Sequence, residues 1–185
     1  MDFRWCWALL LGGWMLTEGL YQRRTGGRHT QDRLSSEVML GSLLVNIVIV
    51  LVLMRFHLGM LASAPWTYRA AGAVLALSGI GLRIWAIRTL GAFFTSAVVV
   101  TDAHRLIDIG PFRWLRHPGY SGVMAFGAGM ILMLGSWAGA LVYLLGHGLA
   151  MHYRITVEER ALQSQLGDAY VAYSQRTWRM LPFVY

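Results

Sequence analysis

Residues 110–122 read GPFRWLRHPGYSG, and this stretch decides how the chain is understood. It sets Arg113, Arg116 and His117 directly before an apolar run that starts at Tyr120. Cationic side chains at the edge of hydrocarbon are costly unless something binds there. Pro118 lacks an amide proton and pushes His117 out of helical geometry, which suits the first turn of a new helix. Helix N-termini present amide protons and partial positive charge. An anionic ligand group held there, flanked by Arg116 and His117, is one reading. An interfacial cluster meeting lipid phosphate is the other.

The rest of the chain fixes the setting. Of 185 residues, 56% are hydrophobic and 14% charged, and the mean hydropathy is +0.49. A soluble domain carries about 25% charged residues. The expectation is an all-α integral membrane bundle forming a single domain over residues 1–185. Residues 1–80 would supply two helices and the start of a third, and residues 81–185 the catalytic and cofactor-binding core. All sixteen basic residues are arginine, and the net charge is +7. The arginines fall in loops between apolar segments, where they set orientation, so no nucleic-acid partner is expected. Cys6 is the single cysteine, which leaves no disulfide within the chain. The N-terminus lacks a clear signal-peptidase site and reads as a retained first helix.

Five apolar segments cover residues 3–21, 38–58, 68–90, 120–134 and 137–153. The last two are shorter than the about 20 residues that span a bilayer core. Gly135-Ser136 joins them, so they should form a tight antiparallel hairpin. Gly122, Ala125, Gly127 and Gly129 would give the fourth helix a small face for close approach. A five-helix path puts twelve of the sixteen arginines on one side: four in residues 21–37, four in 88–117 and four in the tail. The positive-inside rule then makes the C-terminus cytoplasmic. Residues 93–109 lack a helical pattern; Ala97-Val98-Val99-Val100 suggests an extended piece along the cytosolic mouth. The tail from Thr156 has helical spacing, with Gly167 as the break.

Other residues add chemistry. Tyr120 lies within one turn of His117 and can point at the same ligand, or serve as an interfacial aromatic. Arg83 sits inside the third apolar segment, either snorkelling or reaching into the bundle toward a substrate anion. Arg154 lies four and five residues before Glu158 and Glu159, close enough for ion pairs on one helix surface. One glutamate could instead face a ligand. Arg176 and Arg179 could be tail charges against headgroups. There is no GxGxxG, no Walker loop and no cysteine–histidine cluster with zinc spacing. His147 and His152 stand five apart, on different helix faces, so no metal is expected.

Three blocks resemble the isoprenylcysteine carboxyl methyltransferase family, a group of membrane-embedded methyltransferases. LRIWAIRTLGAFF resembles its arginine-bearing helix, and GPFRWLRHPGYSG its G-P-Y-x-x-x-R-H-P-x-Y-x-G signature, with Phe112 replacing tyrosine. RITVEERALQSQLGDAYVAYSQRTWRMLPFV resembles its tail, and the likeness runs from about Gly81 onward. The resemblance implies S-adenosylmethionine as cofactor, bound at the cytosolic end of the last two helices under the tail. Leu115, Arg116, His117, Pro118, Tyr120, Glu158 and Glu159 would hold it. Arg83 and Arg154 would orient the acceptor, with Tyr120 beside them and Glu159 fixing Arg154. The acceptor would be a lipophilic or prenyl-type molecule entering from the surrounding membrane lipids, its reacting atom oxygen, sulfur or nitrogen. The short, lysine-free chain suggests a prokaryotic inner-membrane protein. Two other readings stand beside it: an NADPH-dependent reductase of the sterol-reductase type, whose endings Pro182-Phe183-Val184-Tyr185 echoes, and a non-enzymatic lipid-binding module.

Overall fold

A computed structural model describes residues 6–16, 33–61, 65–91 and 106–185. The helices are α1 (Cys6–Leu16), α2 (Arg33–Arg55), α3 (Trp66–Leu90), α4 (Pro118–Met133), α5 (Trp137–Leu166) and α6 (Asp168–Gln175), with a 3-10 turn at Gly110–Arg113. α2 and α3 are long and apolar enough to cross a membrane; α1 and α4 are shorter apolar helices. The expected extended segment at 97–100 lies outside the described residues.

The boundaries depart from the apolar segments where polarity hides a helix. α2 begins at Arg33, five residues before the apolar run, because Ser35, Ser36 and Glu37 are helical although polar. The fifth segment and the tail helix are one 30-residue helix, α5. Arg154, Glu158 and Glu159 end the hydrophobic signal without breaking the backbone. Gly167, with φ of +53°, does break it and starts α6.

α4 is the centre, packed against α3 on one side and α5 on the other, while α2 lies against α5. At the α3–α4 contact the backbones nearly touch. A Cβ on Gly79 would lie 2.6 Å from the Gly122 carbonyl oxygen, and one on Gly129 2.5 Å from the Ala76 nitrogen. Lipid is as apolar as leucine, so close backbone packing is what holds such helices together. The expected small face is thus two faces. Gly127, five residues past Gly122 and about 140° around the helix, meets the Tyr143 ring of α5 instead. Gly79→Val should lower the melting temperature of the detergent-solubilised chain, at a cost of roughly 1–3 kcal/mol; an unchanged melt would mean that α3 and α4 separate freely.

The α4–α5 hairpin is tight, as expected. Gly135 turns at φ +87°, and Ser136 caps α5 by accepting from the Gly139 amide at 3.1 Å. The α2–α3 turn is stitched to it: Leu61 N donates to Gly135 O at 3.0 Å, and Trp137 N to Gly59 O at 3.1 Å. α1 lies over α3 and α4. Its Trp14 stacks on Phe126 with centroids 4.2 Å apart, and its Trp7 indole donates to Met130 O. Outward faces carry Leu40, Val45, Val48 and Leu51 on α2 and Leu145 and Leu149 on α5, all exposed, the surface expected to face lipid.

Candidate active site

The chain at 110–117 is laced to the C-terminal residues. Arg116 N donates to Trp178 O at 2.7 Å, His117 N to Arg179 O at 2.9 Å, and Trp178 N to Trp114 O at 3.0 Å. Tyr173 hydroxyl donates to Phe112 O, and Ser121 hydroxyl to Met180 O. Pro118 supplies the first α4 position, without a proton. The amides of Tyr120 and Ser121 donate back to His117 O, and that of Leu115 to Pro111 O. This narrows the expectation of open amides for an anion, since of the amides around the start of α4 only that of Gly119 is without an acceptor among these bonds. The strap formed by residues 178 and 179 takes those of Arg116 and His117, and the turn itself takes those of Leu115, Tyr120 and Ser121.

The side chains converge instead of the amides. Glu159 on α5 is 13% exposed. Its Oε1 accepts from Arg116 Nε at 2.7 Å and its Oε2 from Arg179 Nε at 2.8 Å. Arg116 also donates to the Ser174 and Thr177 carbonyls. His117, buried behind this pair, has Nε2 3.4 Å from Glu159 Oε1 and Nδ1 3.9 Å from Glu158 Oε1. Neither contact is aligned as a hydrogen bond, and Nε2 has no hydrogen-bond partner. Burial works against a charged Glu159. His117 and Arg116 beside it outweigh burial and hold its carboxyl down at about 2. Nearby, Tyr170 is buried and its hydroxyl has no hydrogen-bond partner. Burial, then the negative Glu159, raise its pKa.

A second chain of bonds lies alongside. Tyr120 hydroxyl donates to Glu158 Oε2 at 2.7 Å. Arg154 Nε donates to the Tyr120 oxygen at 3.3 Å, and its Nη1 to Ser35 Oγ at 2.6 Å and Ser36 Oγ at 3.1 Å. The hydrogen bonds of Glu159 thus go to Arg116 and Arg179 rather than to Arg154, its expected partner. Five positions along a helix are about 140° of rotation, so Glu159 faces the 116–117 loop. Glu158, four along, meets the Arg154 side through Tyr120. The 3.3 Å bond to Tyr120 is long for this class, whereas the bonds to the two serine hydroxyls hold the guanidinium more firmly.

Arg83 reaches the start of α4, donating from Nη1 to Gly119 O at 3.3 Å, with its guanidinium 5.3 Å from the Trp14 ring centre. Of the tail arginines, Arg176 pairs with Asp108 at the surface, whereas Arg179 belongs to the buried network. Sequence reasoning missed Ser35, Ser36, Trp14 and Tyr170. A serine pair ahead of an apolar run looks like a cap, and nothing local marks it as a partner for a residue more than a hundred positions away.

A model of the isoprenylcysteine carboxyl methyltransferase family matches residues 72–164, just over half of the chain. The chain belongs to this family. It is 32% identical over 121 residues to a probable protein-S-isoprenylcysteine O-methyltransferase of Oryza sativa subsp. indica, covering 64% of this chain and 63% of that protein. It is 32% identical over 117 residues to the protein-S-isoprenylcysteine O-methyltransferase of Rattus norvegicus, covering 62% of this chain and 41% of that one. The chain therefore spans less than two thirds of the length of these relatives. The solved structure of a eukaryotic intramembrane Ras methyltransferase of the family superposes with a TM-score of 0.66 at 24% identity, covering 83% of this chain and 54% of that one. That likeness shows a shared membrane fold. The family match leaves the reductase reading without support. Arg83, the 110–122 motif, Arg154 and both glutamates lie inside the matched region; Trp14, Ser35, Ser36 and Arg179 lie outside it.

Proposed function

We propose that this chain transfers a methyl group from S-adenosylmethionine to the carboxylate of a lipophilic, isoprenylcysteine-type acceptor within the membrane. The observation that carries the reading is the convergence of Glu158, Glu159, His117 and Tyr120 at the foot of α4 and α5, inside the family-matched region. The residues suit the cofactor. Glu158 is the more open carboxylate at 27% exposure and fits an ammonium group or ribose hydroxyls. His117 Nε2 and the Tyr170 hydroxyl are buried polar atoms without hydrogen-bond partners, the kind of group that a ligand satisfies.

The cofactor supplies an activated methyl on a sulfonium. The chain's task is to position, desolvate and neutralise. Arg83 and Arg154 would hold an acceptor carboxylate by paired hydrogen bonds without ever losing their charge. A carboxylate acceptor has no proton to give up, so the site needs no strong base, and Tyr120 serves by locking Glu158 and Arg154 together. Met124, Tyr143, Met151, Ile155 and Met180 form a buried cluster against Tyr120 that keeps water from this side.

Five membrane crossings with a cytoplasmic C-terminus complete the proposal, supported by the grouping of twelve of sixteen arginines on one side. A C-terminal reporter should be accessible only from the cytoplasm; an external signal would overturn the topology. S-adenosylhomocysteine should raise the melting temperature of the detergent-solubilised chain, whereas NADPH should not. Labelled methyl donor should then mark a farnesylated N-acetylcysteine in preference to an apolar thiol or amine. Stabilisation by NADPH alone would overturn the assignment, and label in the thiol or amine alone would move the acceptor atom from oxygen to sulfur or nitrogen.

A further inference from the structure

The second helix, which lies outside the family-matched region, carries a stripe that ends at the reaction centre. Residues 35, 39, 42, 46 and 50 fall at helical spacing on one face of α2. On it Ser35, Asn46 and Val50 are buried, at 0%, 4% and 7% exposure, while α2 side chains on other faces are open. The stripe lies against α5. Ser42 Oγ is 2.9 Å from His147 Nδ1. Asn46 sits so close to Gly146 that a Cβ there would come within 2.9 Å of its amide, and Asn46 Nδ2 donates to Ser42 O at 2.7 Å. At the cytosol-proximal end of the same stripe, Ser35 and its neighbour Ser36 receive Arg154 Nη1.

Between two apolar helices in lipid, only packing and polar contacts choose a register. Ser42 and Asn46 therefore fix where α2 sits along α5, and that register sets Ser35 and Ser36 against Arg154. A slide of one residue is about 1.5 Å along the axis. That exceeds the tolerance of a hydrogen bond, so the serines would lose the guanidinium. Arg154 in turn donates to Tyr120, and Tyr120 to Glu158. The chain of bonds runs from α2 through α5 to the start of α4.

We infer that Ser35 and Ser36 are positioning residues for Arg154: they aim its guanidinium at the acceptor. The inference rests on the methyltransferase reading above. It makes α2 part of the reaction centre rather than a membrane anchor alone.

The test uses the full chain in detergent or nanodiscs. Turnover, acceptor KM, the dissociation constant of S-adenosylhomocysteine and the melting temperature are measured for Ser35→Ala/Ser36→Ala, Arg154→Lys and the combination. The serine double variant should lose ~10–100-fold in kcat while the donor constant stays within about twofold. In the Arg154→Lys background the same serine changes should cost less than about threefold, since residues acting as one unit are not additive. A purely structural role would move the melting temperature and multiply in full with Arg154→Lys. If the double variant does not fold, Ser36→Ala with Ser36→Thr as its rescue takes its place, and threonine should restore most of kcat. Wild-type transfer together with an unimpaired or fully multiplicative serine variant overturns this inference alone. A wild-type chain that neither binds S-adenosylhomocysteine nor transfers methyl overturns the proposed function and this inference with it.

Discussion

Glu159→Gln should destabilise the chain by about 3 kcal/mol near neutral pH, the scale expected when one partner of a buried ion-pair network is removed. Glu159 receives Arg116 and Arg179 on its two oxygens, and both arginines belong to the segments that the 116–179 strap ties together. The neutral amide leaves the two guanidinium groups facing one another without a counter-charge. The strap should loosen with them, and donor affinity should fall because His117 loses its backing. The pH dependence has a definite sign. The folded chain holds the Glu159 carboxyl at about 2, against an ordinary 4.5. Its contribution is therefore fully present above 4.5 and is lost as pH falls toward 2. Melting temperatures of the wild type should drop through that window, and the gap to Glu159→Gln should narrow with it. Two parallel curves across pH 3–7 would show that Glu159 is not held ionised by this network.

Much of the architecture could be read in the chain because membrane helices announce themselves by composition. The third, fourth and fifth apolar segments begin within two residues of α3, α4 and α5. Gly135-Ser136 gives the hairpin, and Gly167 marks the break before α6. The same signal fails where a helix turns polar. α5 runs on past Tyr153 although Arg154, Glu158 and Glu159 end the apolar pattern, and α2 likewise starts ahead of its apolar run with Ser35 and Ser36. The motif at 110–122 points to a candidate site, yet not to which of its groups are available. The amides before α4 are fewer than the motif suggests because residues 178–179, more than sixty positions on, supply the carbonyls that take those of Arg116 and His117. Pairing of Arg154 with Glu159 fails for a related reason. Sequence spacing ranks neighbours on one helix, while the guanidinium found better-placed hydroxyls on another. Long-range partners of polar groups are what a single sequence withholds.

Arg83→Ala should lower turnover by at least ~10²-fold, the scale of losing a group that positions the reacting partner, while donor affinity changes by less than about twofold. The separation follows from geometry. The groups proposed to hold the donor, Glu158, Glu159, His117 and Tyr120, are held by bonds among α4, α5 and the tail. Arg83 approaches from α3, across the glycine-lined contact, and donates to the Gly119 carbonyl at the start of α4. Its guanidinium is steadied on the other side by the Trp14 ring, itself stacked on Phe126. An arginine within an apolar helix is costly unless its charge is engaged, and here it lies between the Trp14 ring and the start of α4. That is where a lipophilic acid would bring its carboxylate. Lysine offers one point charge without the planar fork, so Arg83→Lys should recover only part of the loss, chiefly through KM. Calorimetry with S-adenosylhomocysteine beside initial-rate kinetics checks both halves. A large fall in donor affinity in Arg83→Ala would place Arg83 on the cofactor instead, and the acceptor would then have to be held by Arg154 from the α5 side.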